Sequence, residues 1–446
     1  MNLSLSLRGV AALAFAAGLG LPAMLQSARA VDTSWVATRT QAFLPDSAAH
    51  PQAAARARRP AALLAASRTA APLPADTSKH VVLVLNARPA LPTDAQIQAA
   101  VDYLKQNRFT KIRVTDSRRL IEATGTVDSI QHAFHTTLKG FHYEGRDVFA
   151  NDAPAQVPQA LAGTVMAVLG LQNVAMLRTF GEVTAPGTQA DSALTAEQPW
   201  TRSAQGKAIP TSRAPHQVWE FAHLYDADLL PGATNHAAAM IASGDLSATL
   251  NDLQQADPRY VPTTPVQVIR TDNGTYTDDP QKDIEWTAYS ETIISVAGGL
   301  GKLVIYNVSD LSDANIMLAV DKIVADANRN YPGGAGYTAV LAPFGMWEED
   351  AHRTGFMDAF DQAVAPYTGA VGPYAHPLIG PVTFPASQFV APAGNDGAYP
   401  EYQGIILDSR GNWAVCDICY SVNFPASSSQ VDAIGGTSLF TTTIVP

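Results

Sequence analysis

The chain has 446 residues, too many for one compact core, and 47% of them are hydrophobic against 15% charged, the balance of a polypeptide that folds. A formal net charge of −11 argues against nucleic acid and against an anionic membrane surface as partners, because both reward a cationic face. Two cysteines, Cys416 and Cys419, exclude a disulfide framework and fall short of a CxxC zinc site, which needs a second pair.

Residues 1–30 carry Arg8, an apolar run from Val10 to Leu25 and then Ala28-Arg29-Ala30, the small-x-small pattern that precedes signal-peptidase cleavage. Gly18, Gly20 and Pro22 break the run, so it reads as a leader and not as a membrane anchor. A secreted protein, extracellular or periplasmic, is the expectation, with no membrane association once the leader is cut. Residues 31–78, rich in Ala, Pro, Arg and Ser without periodicity, read as an irregular lead-in.

Order is expected from His80. Val81–Leu85 has the pattern of a short buried strand, and Thr93 with Gln96 forms a capping box that opens a helix presenting Ile97, Val101 and Leu104 on one face. Leu120–Thr124 is strand-like again, and Thr126 caps a helix with Val127, Ile130 and Phe134 inward. A further helix is predicted from Pro158, with Leu161, Val165 and Val168 on one side and a stop at Gly170. Residues 79–177 thus form a small α+β domain, followed at 178–215 by a Thr-, Ala-, Pro- and Gly-rich linker with the presumed processing site.

From 216 to 446 strand patterns at Ala238–Ala242, Val266–Ile269, Leu303–Tyr306, Ala339–Ala342 and Phe389–Ala391 alternate with helical ones. The clearest helix runs from Ser312 to about Asn328, with Ile316, Val320, Ile323, Val324 and Ala327 as its stripe. This alternation predicts an α/β domain, a parallel sheet with helices on both faces.

The stretch IEATGTVDSIQHAF, continuing to GRDVFANDAPAQVPQALAGTVMAVLGLQN, resembles the pro-kumamolisin-type activation domain of sedolisins, the serine-carboxyl peptidases with a subtilisin-like fold. HAAAMIASGDLSATLNDLQQ, SETIISVAGGLGKLVIY, FVAPAGNDGAY and FPASSSQVDAIGGTSLF resemble successive segments of the peptidase domain, in the family's order. The resemblance implies a ferredoxin-like pro-domain that acts as intramolecular inhibitor and chaperone. It also implies serine-type endopeptidase chemistry on protein or peptide substrates in acid.

The family's reaction uses a serine, a glutamate base, an aspartate supporting that base and a second aspartate at the oxyanion. Two neighbouring carboxylates share a proton, which raises the base's pKa toward an acidic working pH. On a helix such a pair sits four residues apart. The resemblance puts the base on Glu285 and its partner on Tyr289, a substitution, since a phenol of pKa about 10 is no second carboxylate. Asp279 and Asp283, also four apart, form an alternative acid pair, and near a helix start they also suit the dipole for structural reasons alone.

The oxyanion aspartate falls on Asn395, whose amide still donates a hydrogen bond and also suits the turn before Gly397. Gly436-Thr437-Ser438 has the letters of the nucleophile motif, but Leu439 and Phe440 after it read as strand, so Ser438 is a weak candidate. The reading is therefore of a shortened peptidase domain, its sheet incomplete at the C-terminal side, and of a non-catalytic relative more than an active enzyme. It expects no cofactor in this chain, the family's calcium site lying in the missing part. Cys416 and Cys419 are a candidate local disulfide.

Overall fold

A computed structural model describes residues 34–44, 59–180, 221–222, 230–256, 258–330, 337–365, 374–376, 380–382, 388–394, 401–407 and 413–435. The leader at 1–30 and most of the linker at 178–215 lie outside the described residues.

The lead-in is more ordered than its composition suggests. It holds strand β1 (Trp35–Ala37), helix α1 (Arg59–Arg68) and strand β2 (Ala71–Pro72). The small domain continues with β3 (Ser78–Leu85), α2 (Asp94–Gln106), β4 (Thr110–Val114), β5 (Leu120–Thr126) and α3 (Val127–Phe134). Strands β6 (Leu138–Tyr143), β7 (Arg146–Asn151), β8 (Gln156–Pro158) and β9 (Val165–Leu169) complete it.

The capping box at Thr93 is present, with Thr93 Oγ1 accepting from Gln96 N–H at 3.3 Å and Gln96 Oε1 accepting from Thr93 N–H at 2.9 Å. Thr126 caps α3 in the same way, accepting from Ser129 N–H at 3.1 Å. The helix predicted from Pro158 is corrected: Gln159–Leu161 make a single 3-10 turn, and Val165–Leu169 extend as β9. Apolar residues spaced by three and four fit either structure, and antiparallel pairing of β9 with β3 decides for the strand.

The main sheet runs β4-β5-β3-β9, all neighbours antiparallel, the ferredoxin-like order. Along β3, Val81, Leu83 and Leu85 point into a core shared with Ile97, Leu104, Ile130 and Phe134 from α2 and α3. Val82 and Val84 point the other way, with Leu120, Ala167 and Leu169. A strand buried on both faces must have a second layer to cover it, and the second domain supplies that layer.

After β10 (Arg178–Thr179) the second domain holds β11 (Ala233–Ser243), α4 (Ser247–Leu253), β12 (Val266–Arg270), α5 (Pro280–Val296), β13 (Leu300–Val308) and α6 (Asp313–Asn330). Then come β14 (Ala339–Leu341), β15 (Phe344–Trp347), α7 (Glu348–Thr354), α8 (Phe356–Val364), β16 (Tyr374–His376), β17 (Gly380–Val382) and β18 (Gln388–Pro392). The remainder is β19 (Glu401–Leu407), β20 (Trp413–Tyr420), β21 (Asn423–Phe424) and β22 (Val431–Ile434).

Six strands form one parallel sheet in the order β12-β13-β11-β14-β18-β22. All five strands expected from the sequence are in it, and helices cover both faces. Ala238, Met240, Leu303 and Ile305 pack with Trp286 and Ile294 of α5 and Leu253 of α4. Ala239, Ile241, Val304 and Tyr306 pack with α6 and α8 on the other side.

The outer side of α6 and α8 is where the small domain docks, so Val82, Val84 and Leu169 share one apolar core with Ile316, Val320, Phe356 and Phe360. Polar contacts fix the register. Gln362 accepts from Ala87 N–H and donates to Leu85 O, both at 2.9 Å, as a neighbouring strand would. Asn273 Nδ2 donates to Glu122 Oε1 at 3.1 Å, and Ser117 donates to Asp321.

Asp313, at the start of α6, is 1% exposed. Its Oδ1 accepts from Ala314 N–H at 2.7 Å. Burial raises its pKa to about 6, against weaker opposing pulls from Ala314 N–H, the Thr354 hydroxyl, the Gly170 N–H and the Gln172 amide.

Two outcomes follow. Because the folded pKa of Asp313 lies above its ordinary 3.8, its stabilising contribution is complete below about pH 4 and is lost as pH rises through about 6, a change of about 3 kcal/mol. Urea denaturation across that range should show the slope in the wild-type chain and lose this part of it in Asp313→Asn. Phe360 is fully buried, with ring centroids 5.3 Å from Phe424, 5.8 Å from Phe389 and 6.0 Å from Phe356. Phe360→Ala should cost about 3–5 kcal/mol, read as a lower denaturation midpoint.

Candidate active site

The C-terminal ends of β11, β12 and β13 are tied together by side chains. Asp272 accepts from Gly274 N–H through Oδ1 and from Ser309 N–H through Oδ2, both at 2.7 Å, joining the loops after β12 and β13. Asn307 Nδ2 donates to Gly244 O at 2.9 Å, and Trp286 Nε1 donates to Ser243 O at 2.9 Å, which pins α5 to the end of β11.

Glu285 and Tyr289 are one turn apart on α5 and do meet. Tyr289 Oη donates to Glu285 Oε2 at 3.4 Å, a long bond, and Glu285 is 9% exposed. Tyr289 also leans on Trp286, with ring centroids 6.0 Å apart. The arrangement gives the glutamate a hydroxyl neighbour. No proton can be shared with it as between two acids, because the phenol keeps its own in the acidic range.

The alternative pair of Asp279 and Asp283 is not brought together as an acid pair. Asp279 caps α5, its Oδ1 accepting from Gln281 N–H at 3.2 Å and Lys282 N–H at 3.4 Å. Asp283 turns inward, 6% exposed, and accepts from Thr249 Oγ1 at 3.1 Å. Burial raises its pKa; Thr249 pulls it down, while Asp278 and the charge of Asp245 push it further up. The acid that hydrogen-bonds to Asp283 and repels its charge is thus Asp278, five residues back along the chain and invisible to a four-residue rule. Its surroundings are those of a buried structural acid at a helix start.

Asn395 and Ser438 lie outside the described residues, as do the side chains of Cys416 and Cys419 on β20. Among the described residues no group of three or more His, Cys, Asp or Glu could hold a metal ion.

A second feature, beyond the end of β14, escapes the sequence. The first residues assigned to the linker form β10, which pairs antiparallel with β15, Arg178 opposite Gly345 and Thr179 opposite Phe344. On its other side β15 pairs with β21, so the chain's own backbone completes a three-stranded sheet. Phe180 lies over two glycines: a Cβ on Gly345 would stand 3.0 Å from its ring, and one on Gly394 would stand 3.6 Å away. Arg178 spans Phe180 and Trp347, its guanidinium carbon 5.6 Å and 5.5 Å from the two ring centres. A short strand edge with a glycine-lined recess is built to hold an extended peptide, here a peptide of the same chain. Only the two glycines could have hinted at it, and in the sequence they look like ordinary turn residues.

Comparison with known proteins finds relatives of one family. The profile described as "Pro-kumamolisin, activation domain" matches residues 86–174. Xanthomonalisin of Xanthomonas sp. (strain T-22) is 30% identical over 371 residues, covering 78% of this chain and 40% of that protein. Sedolisin of Pseudomonas sp. (strain 101) is 32% identical over 357 residues, covering 79% of this chain and 53% of that one. The chain thus spans about half the length, or less, of these relatives. Among solved structures, Pseudomonas sedolisin (serine-carboxyl proteinase) complexed with two molecules of pseudo-iodotyrostatin is 29% identical, with a TM-score of 0.39, covering 52% of this chain and 56% of that one. The activation-domain match and the two relatives together make the chain a member of the sedolisin family.

Proposed function

We propose that the chain is an exported precursor of the peptidase type, made to bind protein or peptide segments, in which the acid-dependent cleavage of peptide bonds is impaired. The observation that carries this reading is the pair of Glu285 and Tyr289, four apart on α5 and 3.4 Å from each other. A serine is activated in acid by a carboxylate whose pKa is lifted by a second carboxylate sharing its proton. Tyrosine at 289 offers a donor in place of that second acid. Its hydroxyl, with an ordinary pKa of about 10, stays protonated throughout the range where such chemistry runs.

The pro-domain's role as intramolecular inhibitor is supported by β10, since the segment that leaves the pro-domain is laid on β15 where an extended substrate would pair. Export is supported by the leader-like residues 1–30, with Arg8 ahead of the apolar run and Ala28-Arg29-Ala30 after it. Peptides are the partners this reading implies, together with the chain's own pro-domain.

Incubating the purified chain between about pH 3 and pH 5 tests the proposal, because a family member with working acid chemistry cuts its own linker under such conditions. The expected outcome is a full-length chain and undigested casein. Cleavage within residues 178–215 that Glu285→Ala abolishes would refute the impairment and assign Glu285 the role of base.

A further inference from the structure

The segment before the pro-domain core makes contacts that neither the lead-in reading nor the peptidase reading uses. From Trp35 to Ala37 it pairs with β8, and Trp35 stacks on His135 with ring centroids 3.7 Å apart. Beyond that strand it stays hydrogen-bonded to the pro-domain and runs along the seam between the two domains. Thr38 N–H donates to Ala155 O and Arg39 N–H to Met166 O, both at 2.8 Å, on the pro-domain side. Gln41 N–H donates to Arg353 O at 2.8 Å, on the side of the second domain.

Thr40 joins the two sides. It is 3% exposed, and its hydroxyl accepts from Val168 N–H at 2.9 Å. Its one proton faces two carbonyls, Val168 O of the pro-domain at 2.9 Å and Thr354 O of α7 at 3.2 Å. Phe43 and Leu44 are then buried at 2% exposure each, and the Arg353 guanidinium lies 4.9 Å from the centre of the Phe43 ring. Gly355, between α7 and α8, has φ +80°, and a Cβ there would stand 3.0 Å from Ala167 Cβ and 3.4 Å from Arg39 Cβ. The chain passes where a side chain at 355 would obstruct it.

We propose that residues 38–44 are a clamp, an irregular segment bent at Arg39 and at Phe43–Leu44 and seated in a cleft that the pro-domain and the α7–α8 corner build jointly, holding the one on the other. The cleft takes a bent segment with a buried hydroxyl and an aromatic residue three positions on, and its occupant is the chain's own N-terminal segment. The clamp is separate from the β10–β15 pairing and acts on docking, so it holds whether or not the chain cleaves peptides.

The test uses the full chain nicked by limited trypsin in the linker, where Arg202, Lys207 and Arg213 offer sites. Size-exclusion chromatography over a dilution series then gives the apparent dissociation constant of the nicked pro-domain. Thr40→Val, which keeps the shape and removes the hydroxyl, should raise that constant about tenfold, or about 1.4 kcal/mol. Thr40→Ser should restore it to within about threefold.

Thr136→Val is the control, since the Thr136 hydroxyl donates to Ala153 O at 2.8 Å wholly within the pro-domain. An unchanged constant in Thr40→Val, or an equal rise in Thr136→Val, overturns the clamp. Should Thr40→Val not fold, hydrogen exchange in the wild-type chain decides. The Gln41 amide should be protected as strongly as the Leu177 amide, which donates to Leu311 O across the same seam at 3.0 Å, and exchange a hundredfold or more faster overturns the proposal.

Discussion

Leaving a sheet with two apolar faces open to water on one of them is costly, and that constraint organises the molecule. β3 is buried along Val81–Leu85 on both sides. One side is covered inside the pro-domain by α2 and α3, the other by α6, α7 and α8 of the neighbouring domain. Docking is therefore part of the pro-domain's own solvation problem. The outer faces of α6 and α8 gain cover in return.

The seam carries acids whose responses to pH oppose one another. Burial raises Asp313 and Asp321, so their contribution to docking is full in acid and fades as pH rises through their folded pKa values. Burial pushes Glu122 upward too, but His80 and Arg113 outweigh it and hold its carboxyl below the usual range. The Glu122 contribution is therefore full near neutrality and is lost as pH falls through that lowered value. A seam of this composition has its optimum between two failing limits.

Much of this fold is legible in the residues because local and global preferences agree. The capping box at Thr93, the cap at Thr126 and the five parallel strands are all written in short windows. Glu285 and Tyr289 are placed by the family resemblance, and one helical turn then brings them together on α5. Other features needed the third dimension. Val165–Leu169 carries a spacing compatible with a helix, and only its partner β3 makes it a strand. Thr38–Leu44 looks featureless because what it packs against lies over a hundred and three hundred residues away. Asp283 owes its environment to Asp278 and Thr249, which no periodicity relates to it.

The alternation along β3 has an evolutionary corollary. Side chains 81, 83 and 85 answer to the pro-domain's internal core, while 82 and 84 answer to a different domain. Neighbouring codons are thus under separate selection: drift at one set erodes the pro-domain as a folding unit, and drift at the other leaves it folded but alters how long it stays attached. A lineage that abandons catalysis could relax the second set first, and latency and foldability would then part company within a single strand.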